Sequence, residues 1–445
     1  MLKTTEVAEI VKEKIKNIKD RIFKSHLARN FLLIFSGEGI SSVFGFLATI
    51  FIINAIGSYK HGILVAVQTY TNLFYGLFSF KTFQSLIKYL AKAERDNDHE
   101  SEKIYIKWAV MLDAFCLVAT LFFGVILKDV VINIMGWDRA ISEYCIFYLC
   151  VYMLYFQGTT IGVLRYFENY KYVVTSNISC AVIRCVGFLG CFVLRCDFKA
   201  FFLVDCIANA AKFLLMNFYT LKTLAQHKLL DFYKVKLKWC PDFLKFSLYS
   251  NLTSTIDLPV NQITSLIINK YLGFEATSVY SVFGNIGSVI NKLGDPISQV
   301  IYPEMNKMIS QKDVASARKL SNRLKLIMLS LFSVSTIFVV ATHSLWLKYL
   351  ISNPNEYVIP LILYIGYSCY SNSSMGTHNL FMALGYVKYN IPILIVVNAG
   401  YLGLLFFSVQ HYGLTGVIAT YLLQALAVVF IKEVIMRKRN YQELM

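Results

Sequence analysis

Long apolar stretches recur along the whole 445-residue chain, and they constrain its fold more than any other feature. A helix needs about 20 mainly apolar residues to cross the hydrocarbon core of a bilayer. Twelve stretches have this length: 30–55, 62–87, 106–127, 142–163, 173–194, 200–221, 246–269, 277–303, 324–346, 357–384, 391–409 and 414–435. Hydrophobic residues make up 56% of the chain and charged residues only 16%, which excludes an ordinary soluble domain. We therefore predict an all-α, multi-pass membrane protein with twelve transmembrane helices.

The basic residues alternate between the two sides of the predicted membrane. With the amino terminus in the cytoplasm, 32 of the 43 lysines and arginines fall in cytoplasmic segments, 7 in outer segments and 4 within spans. Because cytoplasmic loops are enriched in basic residues, this distribution supports twelve spans with both termini in the cytoplasm. It also accounts for the formal net charge of +16, so we predict no nucleic-acid partner.

The longest cytoplasmic connection divides the chain into two parallel lobes of six spans each. Spans 1 and 7 end alike, with Ile-Ile-Asn closing at Asn54 before Gly57 and at Asn269 before Gly273. Transporters built from two such repeats bind their substrate between the halves. The predicted segments are a basic amphipathic helix on the cytoplasmic membrane surface (1–29), an N-terminal lobe (30–222), a linker (223–245), a C-terminal lobe (246–435) and a cytoplasmic tail (436–445).

Several ionisable side chains fall inside predicted spans, where each charge costs about 2.5–3.5 kcal/mol. Such residues pair with one another or mark substrate and ion pathways. We predict a substrate-binding cavity with four cations, namely Lys81, Arg184, Lys212 and Lys292. We also predict four acidic residues for the cavity or for coupling, namely Glu38, Asp113, Asp257 and Asp295. Pairing inside the membrane is the alternative for Arg184 with Asp205 or Asp113, for Lys212 with Asp205, and for Lys292 with Asp295.

Two prolines lie inside spans of the second half, Pro259 and Pro296. Each removes a backbone hydrogen bond and kinks its helix. A fixed bend and a hinge for alternating access are both open interpretations. The ten cysteines form no C-x-x-C pair, and the sequence has neither a metal-binding nor an ATP-binding motif. We therefore predict no cofactor, with a proton or sodium gradient as the available energy source.

Several segments resemble the bacterial O-antigen and capsular polysaccharide flippases (the Wzx type) of the multidrug/oligosaccharidyl-lipid/polysaccharide exporter superfamily. They are NFLLIFSGEGI (30–40), GSYKHG (57–62), SLIKYL (85–90), FSLYSN (246–251), NKYLG (269–273), VYS (279–281) and QVIYPE (299–304). The resemblance covers most of the chain, including its division into six and six spans. It implies a V-shaped, MATE-like bundle of two six-helix lobes in the bacterial inner membrane.

The resemblance also implies a substrate, which is undecaprenyl diphosphate carrying an oligosaccharide repeat unit of O-antigen or capsule. The unit would move from the cytoplasmic to the periplasmic leaflet, and Lys81, Arg184 and Lys292 could form the cationic cavity that relatives use. Membrane lipids, a polysaccharide polymerase and a chain-length regulator are the further partners it implies. A cation-coupled drug antiporter of the same superfamily is the alternative. An enzyme such as a polymerase is disfavoured because no predicted outer loop is large enough for a catalytic site.

Overall fold

A computed structural model describes residues 26–351 and 353–440. These residues form thirteen α-helices and no strand. The helices are α1 (His26–Phe78), α2 (Thr82–Arg95), α3 (His99–Ile126), α4 (Lys128–Met135), α5 (Ala140–Tyr152), α6 (Gln157–Tyr166), α7 (Tyr170–Val193), α8 (Phe198–Gln226), α9 (Pro241–Ile256), α10 (Thr264–Ser310), α11 (Val314–Trp346), α12 (Val358–Ala383) and α13 (Asn390–Asn440). A π-helix (Pro259–Ile263) lies between α9 and α10. The helix predicted for residues 1–29 lies outside the described residues up to residue 25.

Three helices are too long to be single spans. They are α1, α10 and α13, with 53, 47 and 51 residues. At 1.5 Å per residue they extend about 70–80 Å, against a hydrocarbon core of about 30 Å. Each contains one glycine with a positive φ, which is 81° at Gly57, 83° at Gly273 and 57° at Gly413. The chain reverses direction there, because glycine adopts these angles without the steric cost that a side chain brings.

These reversals confirm the predicted architecture of twelve spans in two lobes of six. Gly57 separates spans 1 and 2, Gly273 separates spans 7 and 8, and Gly413 separates spans 11 and 12. Seven helical stretches of the described chain are long and apolar enough to cross a membrane by length and composition alone, and two of them are long enough to contain two spans. Gly57 and Gly273 follow the matching Ile-Ile-Asn segments, so the first two spans of each lobe are joined through a glycine at the same position.

Spans 2 and 4 differ from the prediction because neither is one continuous helix. Residues 79–81 separate α1 from α2, and residues 153–156 separate α5 from α6. Irregular backbone at membrane depth needs hydrogen-bond partners from the protein. The Asn251 side-chain amide donates to the carbonyls of Leu77 at 3.2 Å and Ser79 at 2.8 Å. The Asn217 amide donates to the Leu154 carbonyl at 2.9 Å, so both interruptions are satisfied within the protein.

Candidate functional site

Lys81 lies at the interruption of span 2, directly before α2. Its backbone is left-handed, with φ 49° and ψ 40°, and its side chain is half-buried. A left-handed conformation is uncommon for a non-glycine residue and costs about 1–3 kcal/mol, and five other described non-glycine residues share it. In the part of the chain that the structure describes, no carboxylate lies within ion-pair distance of the Lys81 ammonium. Of the four predicted cations, Lys81 is thus the one whose charge is available to a ligand in the described structure.

Asp113 of α3 connects the two interrupted spans. One carboxylate oxygen accepts a hydrogen bond from the Thr82 hydroxyl at 2.8 Å, and the other accepts one from the Thr159 backbone amide at 2.7 Å. Thr159 lies in the first turn of α6, where amides lack helical partners and the helix dipole favours an anion. A Cβ on the adjacent Gly158 would lie 1.6 Å from the Thr82 hydroxyl oxygen, so only glycine fits. Asp113 therefore caps α6 through a backbone amide and binds the first residue of α2 through its side-chain hydroxyl.

Aromatic rings surround the interruption of span 4. The rings of Tyr75 and Tyr155 are 5.2 Å apart, and Tyr155 stacks on Phe213 at 4.2 Å. The Tyr75 hydroxyl donates to the Gln157 side-chain oxygen at 3.2 Å. The Tyr152 hydroxyl donates to an asparagine side chain of α1 at 2.7 Å. These tyrosines therefore pack against one another and form their hydrogen bonds within the lobe, at the interruption of span 4.

Arg184 forms an ion pair with Asp205 inside the N-terminal lobe. The Arg184 Nε atom lies 2.6 Å from Asp205 Oδ1, and the two side chains are 28% and 1% exposed. The other oxygen of Asp205 accepts hydrogen bonds from Tyr148 at 2.8 Å and Gln68 at 2.9 Å. Of the two partners considered for Arg184, Asp205 is the one observed. The charge of Arg184 is therefore balanced within the N-terminal lobe.

The remaining predicted residues of the N-terminal lobe lie on separate helices. Glu38 of α1 accepts a hydrogen bond from the Asn177 side chain of α7 at 3.0 Å. Lys212 is half-buried on α8, and Asp205 pairs with Arg184 rather than with Lys212. Glu38 thus joins two helices of one lobe, while the predicted role of Lys212 stays a prediction.

A polar cluster lies near the end of predicted span 12 in the C-terminal lobe. The count of cytoplasmic basic residues included Lys432, although it falls within the predicted span 414–435; it is only 6% exposed, and its Nζ atom lies 3.0 Å from His378 Nδ1. Asp257 lies between α9 and the π-helix. It follows Ile256, whose carbonyl accepts a hydrogen bond from the Asn398 amide at 2.7 Å.

Four predicted residues have side chains outside the described part of the structure. They are Lys292, Asp295, Pro296 and Pro259. The backbone at 292–296 is helical within α10, and Pro259 is the first residue of the π-helix. Their predicted roles as cation, acid and hinges stay predictions.

The two lobes contact each other closely near the reversals at Gly57 and Gly273. His61 Nδ1 lies 2.7 Å from the Ser278 hydroxyl, and the Trp137 indole donates to the Asn269 side chain at 2.5 Å. A Cβ on Gly62 would lie 1.9 Å from the Phe274 carbonyl oxygen, so the helices touch at backbone distance. Deeper in the membrane, the Asn285 amide donates to the Thr49 hydroxyl at 3.2 Å. In the predicted orientation, these contacts join the lobes at their outer ends.

Comparisons with known proteins agree with this architecture. The family model described as "Polysaccharide biosynthesis protein" matches residues 27–309, which is well over half of the chain. A comparison with curated protein sequences found no match.

Solved transporters of the MOP superfamily share the fold. An inward-facing multidrug resistance MATE family transporter has 12% identity over 90% of this chain and 94% of its own, with a TM-score of 0.69. An outward-facing MATE structure has 13% identity over 94% of this chain and 95% of its own, with a TM-score of 0.65. A MOP superfamily transporter from Pyrococcus furiosus, described by the reverse polarity of its binding pocket, has 12% identity over 93% of this chain and 95% of its own, with a TM-score of 0.64.

Proposed function

The chain belongs to the polysaccharide biosynthesis protein family, and we propose that it is a flippase for undecaprenyl-diphosphate-linked oligosaccharide repeat units. It would move units of O-antigen or capsule from the cytoplasmic to the periplasmic leaflet of the bacterial inner membrane. The family and the fold are those of transporters rather than enzymes. The proposal for the substrate rests on the position of Lys81. This cation lies beside the interruption of span 2 and has no carboxylate partner among the described residues.

The chemistry of such a substrate suits this position. A lipid diphosphate is anionic, and a lysine ammonium offsets phosphate charge as a compact point charge. The amino-terminal end of α2, which begins at Thr82, adds a partial positive charge next to Lys81. The lipid chain can stay in the membrane while the head group passes between the lobes.

Movement between two conformations is proposed to use a proton or sodium gradient. The buried cluster of Asp257, His378 and Lys432 supports this proposal because ionisable groups at membrane depth mark ion pathways. The proposed lobes are residues 30–222 and 246–435, with the linker and both termini in the cytoplasm. A polysaccharide polymerase and a chain-length regulator are proposed to act on the exported units.

The proposed substrate can be tested by removing the Lys81 charge. We expect Lys81→Met to reduce surface-glycan display at least about tenfold, the loss expected when a charge-assisted contact to phosphate disappears. Lys81→Arg should retain most of the display because it keeps the charge. Lys92→Met, on an exposed position of the same helix α2, is the matched control and should display glycan normally. Immunoblots of membrane fractions would confirm equal protein amounts.

Normal glycan display by Lys81→Met would contradict the proposed role of Lys81. The alternative transport activity has its own signature in the same cells. If deletion of the protein leaves surface glycan unchanged and instead sensitises cells to cationic drugs, the chain is a drug antiporter and the flippase proposal is wrong.

A further inference from the structure

An apolar groove of about 250 Å³ lies where α3 and the interruption of span 2 meet the linker and α9. It is bounded by Phe80 from the interruption of span 2, Leu112 of α3, Trp239 of the linker, and Lys245 and Leu248 of α9. Its lining is apolar apart from the Lys245 side chain, so it offers no hydrogen bonds to a sugar or a polar drug. A groove of this kind, on a surface that faces the bilayer, is suited to a hydrocarbon chain.

The mouth of the groove lies at the predicted cytoplasmic interface of the membrane. Trp239 forms a T-shaped contact with Trp108, and the Trp108 indole donates to the Lys238 carbonyl at 2.9 Å. Tryptophan is enriched at the head-group level of membranes, where its ring is apolar and its N–H needs a partner. From Trp239 the groove extends along α9 to Leu248, one turn beyond Leu244, and so into the hydrocarbon region.

One lysine lies at this mouth, and others lie on neighbouring elements. Lys245 bounds the groove, is exposed and has no ion pair within the described residues. The Lys88 ammonium lies 4.3 Å from the ring centroid of Phe246, the residue after Lys245. Lys238, next to Trp239, is paired with Glu100 at 2.9 Å, and the Lys107 ammonium donates to two linker carbonyls at 3.0 and 2.7 Å. An apolar chain with an anionic group at its interfacial end matches both the groove and its mouth.

The inner end of the groove adjoins the cation of the candidate site. The Phe80 ring contacts Phe115, which is 58% exposed on the membrane side of α3. The next residue, Lys81, is half-buried and has a left-handed backbone. The cation of the candidate site therefore follows directly on the aromatic residue that bounds the groove.

We propose that this groove binds a short segment of the isoprenoid chain of the lipid-linked substrate in the cytoplasmic leaflet, next to its phosphate groups, which would be held at Lys245 and Lys88. The inference rests on the proposed flippase function and adds a docking site that precedes Lys81. The head group would move past the interruption at 79–81 while the chain remains in the groove. The positive mouth selects an anionic lipid, and the position beside Lys81 favours the substrate over a bulk phospholipid.

The proposal can be tested with the full-length protein in phosphatidylcholine nanodiscs that contain equal amounts of undecaprenyl phosphate and phosphatidylglycerol. Native mass spectrometry then measures which lipid the protein retains. Leu248→Trp fills the groove, and Leu252→Trp is its matched control, one turn further along α9 and 51% exposed. We expect Leu248→Trp to reduce retention of undecaprenyl phosphate about tenfold, Leu252→Trp to leave it unchanged, and Lys245→Gln to reduce it several-fold.

Two results would overturn the groove assignment. One is retention of undecaprenyl phosphate by Leu248→Trp at the wild-type level. The other is equal retention of phosphatidylglycerol that Leu248→Trp also abolishes, which would identify an ordinary phospholipid as the occupant. Either result leaves the flippase proposal standing if Lys81→Met still abolishes glycan display. Normal display by Lys81→Met, with the groove results as expected, would instead contradict the proposed role of Lys81.

Discussion

Replacement of Arg184 by leucine separates a structural role of this residue from a role in substrate binding. Arg184 Nε lies 2.6 Å from Asp205 Oδ1, and Asp205 is 1% exposed. Removing one partner of a buried ion pair leaves the other charge uncompensated and costs about 3–5 kcal/mol. Because Arg184 is 28% exposed, we expect the lower end of this range, about 3 kcal/mol, for Arg184→Leu.

Adding Asp205→Asn to this variant removes the stranded charge. The asparagine side chain keeps an oxygen that can accept from Tyr148 and Gln68, which donate to Asp205 at 2.8 and 2.9 Å. Replacement of a buried ion pair by neutral groups is often close to neutral in stability, so the double variant should lie within about 1 kcal/mol of the wild type. The coupling energy between the two positions should therefore be about 2 kcal/mol or more.

The assay combines two measurements on the wild type, the single variants Arg184→Leu and Asp205→Asn, and the double variant. Thermal unfolding of the detergent-solubilised protein, followed by size-exclusion chromatography with fluorescence detection, reports stability. Surface-glycan display reports export. With a structural role, Arg184→Leu loses both properties and the double variant regains both. A double variant that is stable but exports no glycan would refute this reasoning and return Arg184 to the substrate site. Full stability of Arg184→Leu alone would show that the ion pair contributes little.

Three further changes have sharp expectations. Gly158→Ala should destabilise the protein by about 1–3 kcal/mol because the new Cβ would overlap the Thr82 hydroxyl oxygen. Gly190→Ala is the control: no atom lies within 4 Å of its new Cβ, so this variant should unfold like the wild type. Gly273→Ala should cost about 1–3 kcal/mol because φ is 83° there, and an unchanged melting temperature would argue against a chain reversal at this residue. Asn269→Leu removes the acceptor of the Trp137 indole and should loosen the contact between the lobes. Acrylamide quenching of tryptophan fluorescence should therefore increase. Unchanged quenching would show that this hydrogen bond does not hold the lobes together.

The number of spans was predictable because it depends on length and local composition alone. Every span must satisfy its own backbone polar groups, so the apolar stretches become helical, with interruptions in spans 2 and 4. The chain reversals were also visible as Gly57 and Gly273 after matching apolar segments. The pairing of Arg184 with Asp205 was one of two alternatives, and spacing along the sequence could not choose between acids on different helices.

The interruptions of spans 2 and 4 were not predictable because their partners are distant in sequence. Residues 79–81 follow an apolar segment that contains no proline, and its single nearby glycine, Gly76, lies within the helix, so the local pattern favours a continuous helix. The hydrogen bond that satisfies the Ser79 carbonyl comes from Asn251, 172 positions later. Lys432 was misplaced for a related reason, since charge near the end of a span is normally counted with the adjoining loop, and only packing against His378 shows that it is buried.

The irregular segments of the two lobes lie against each other, and this contact bears on how the lobes can move. Asn251 of α9 holds the end of α1 through the Leu77 and Ser79 carbonyls, and a Cβ on Gly76 would lie 2.6 Å from the Leu258 side chain. Leu258 directly precedes the π-helix, whose first residue, Pro259, has no backbone N–H to donate. Helix ends and interruptions absorb changes in φ and ψ more readily than continuous helix does. A rotation of one lobe against the other would therefore act first on this pair of segments, and it would move Lys81, two residues beyond Ser79, together with them.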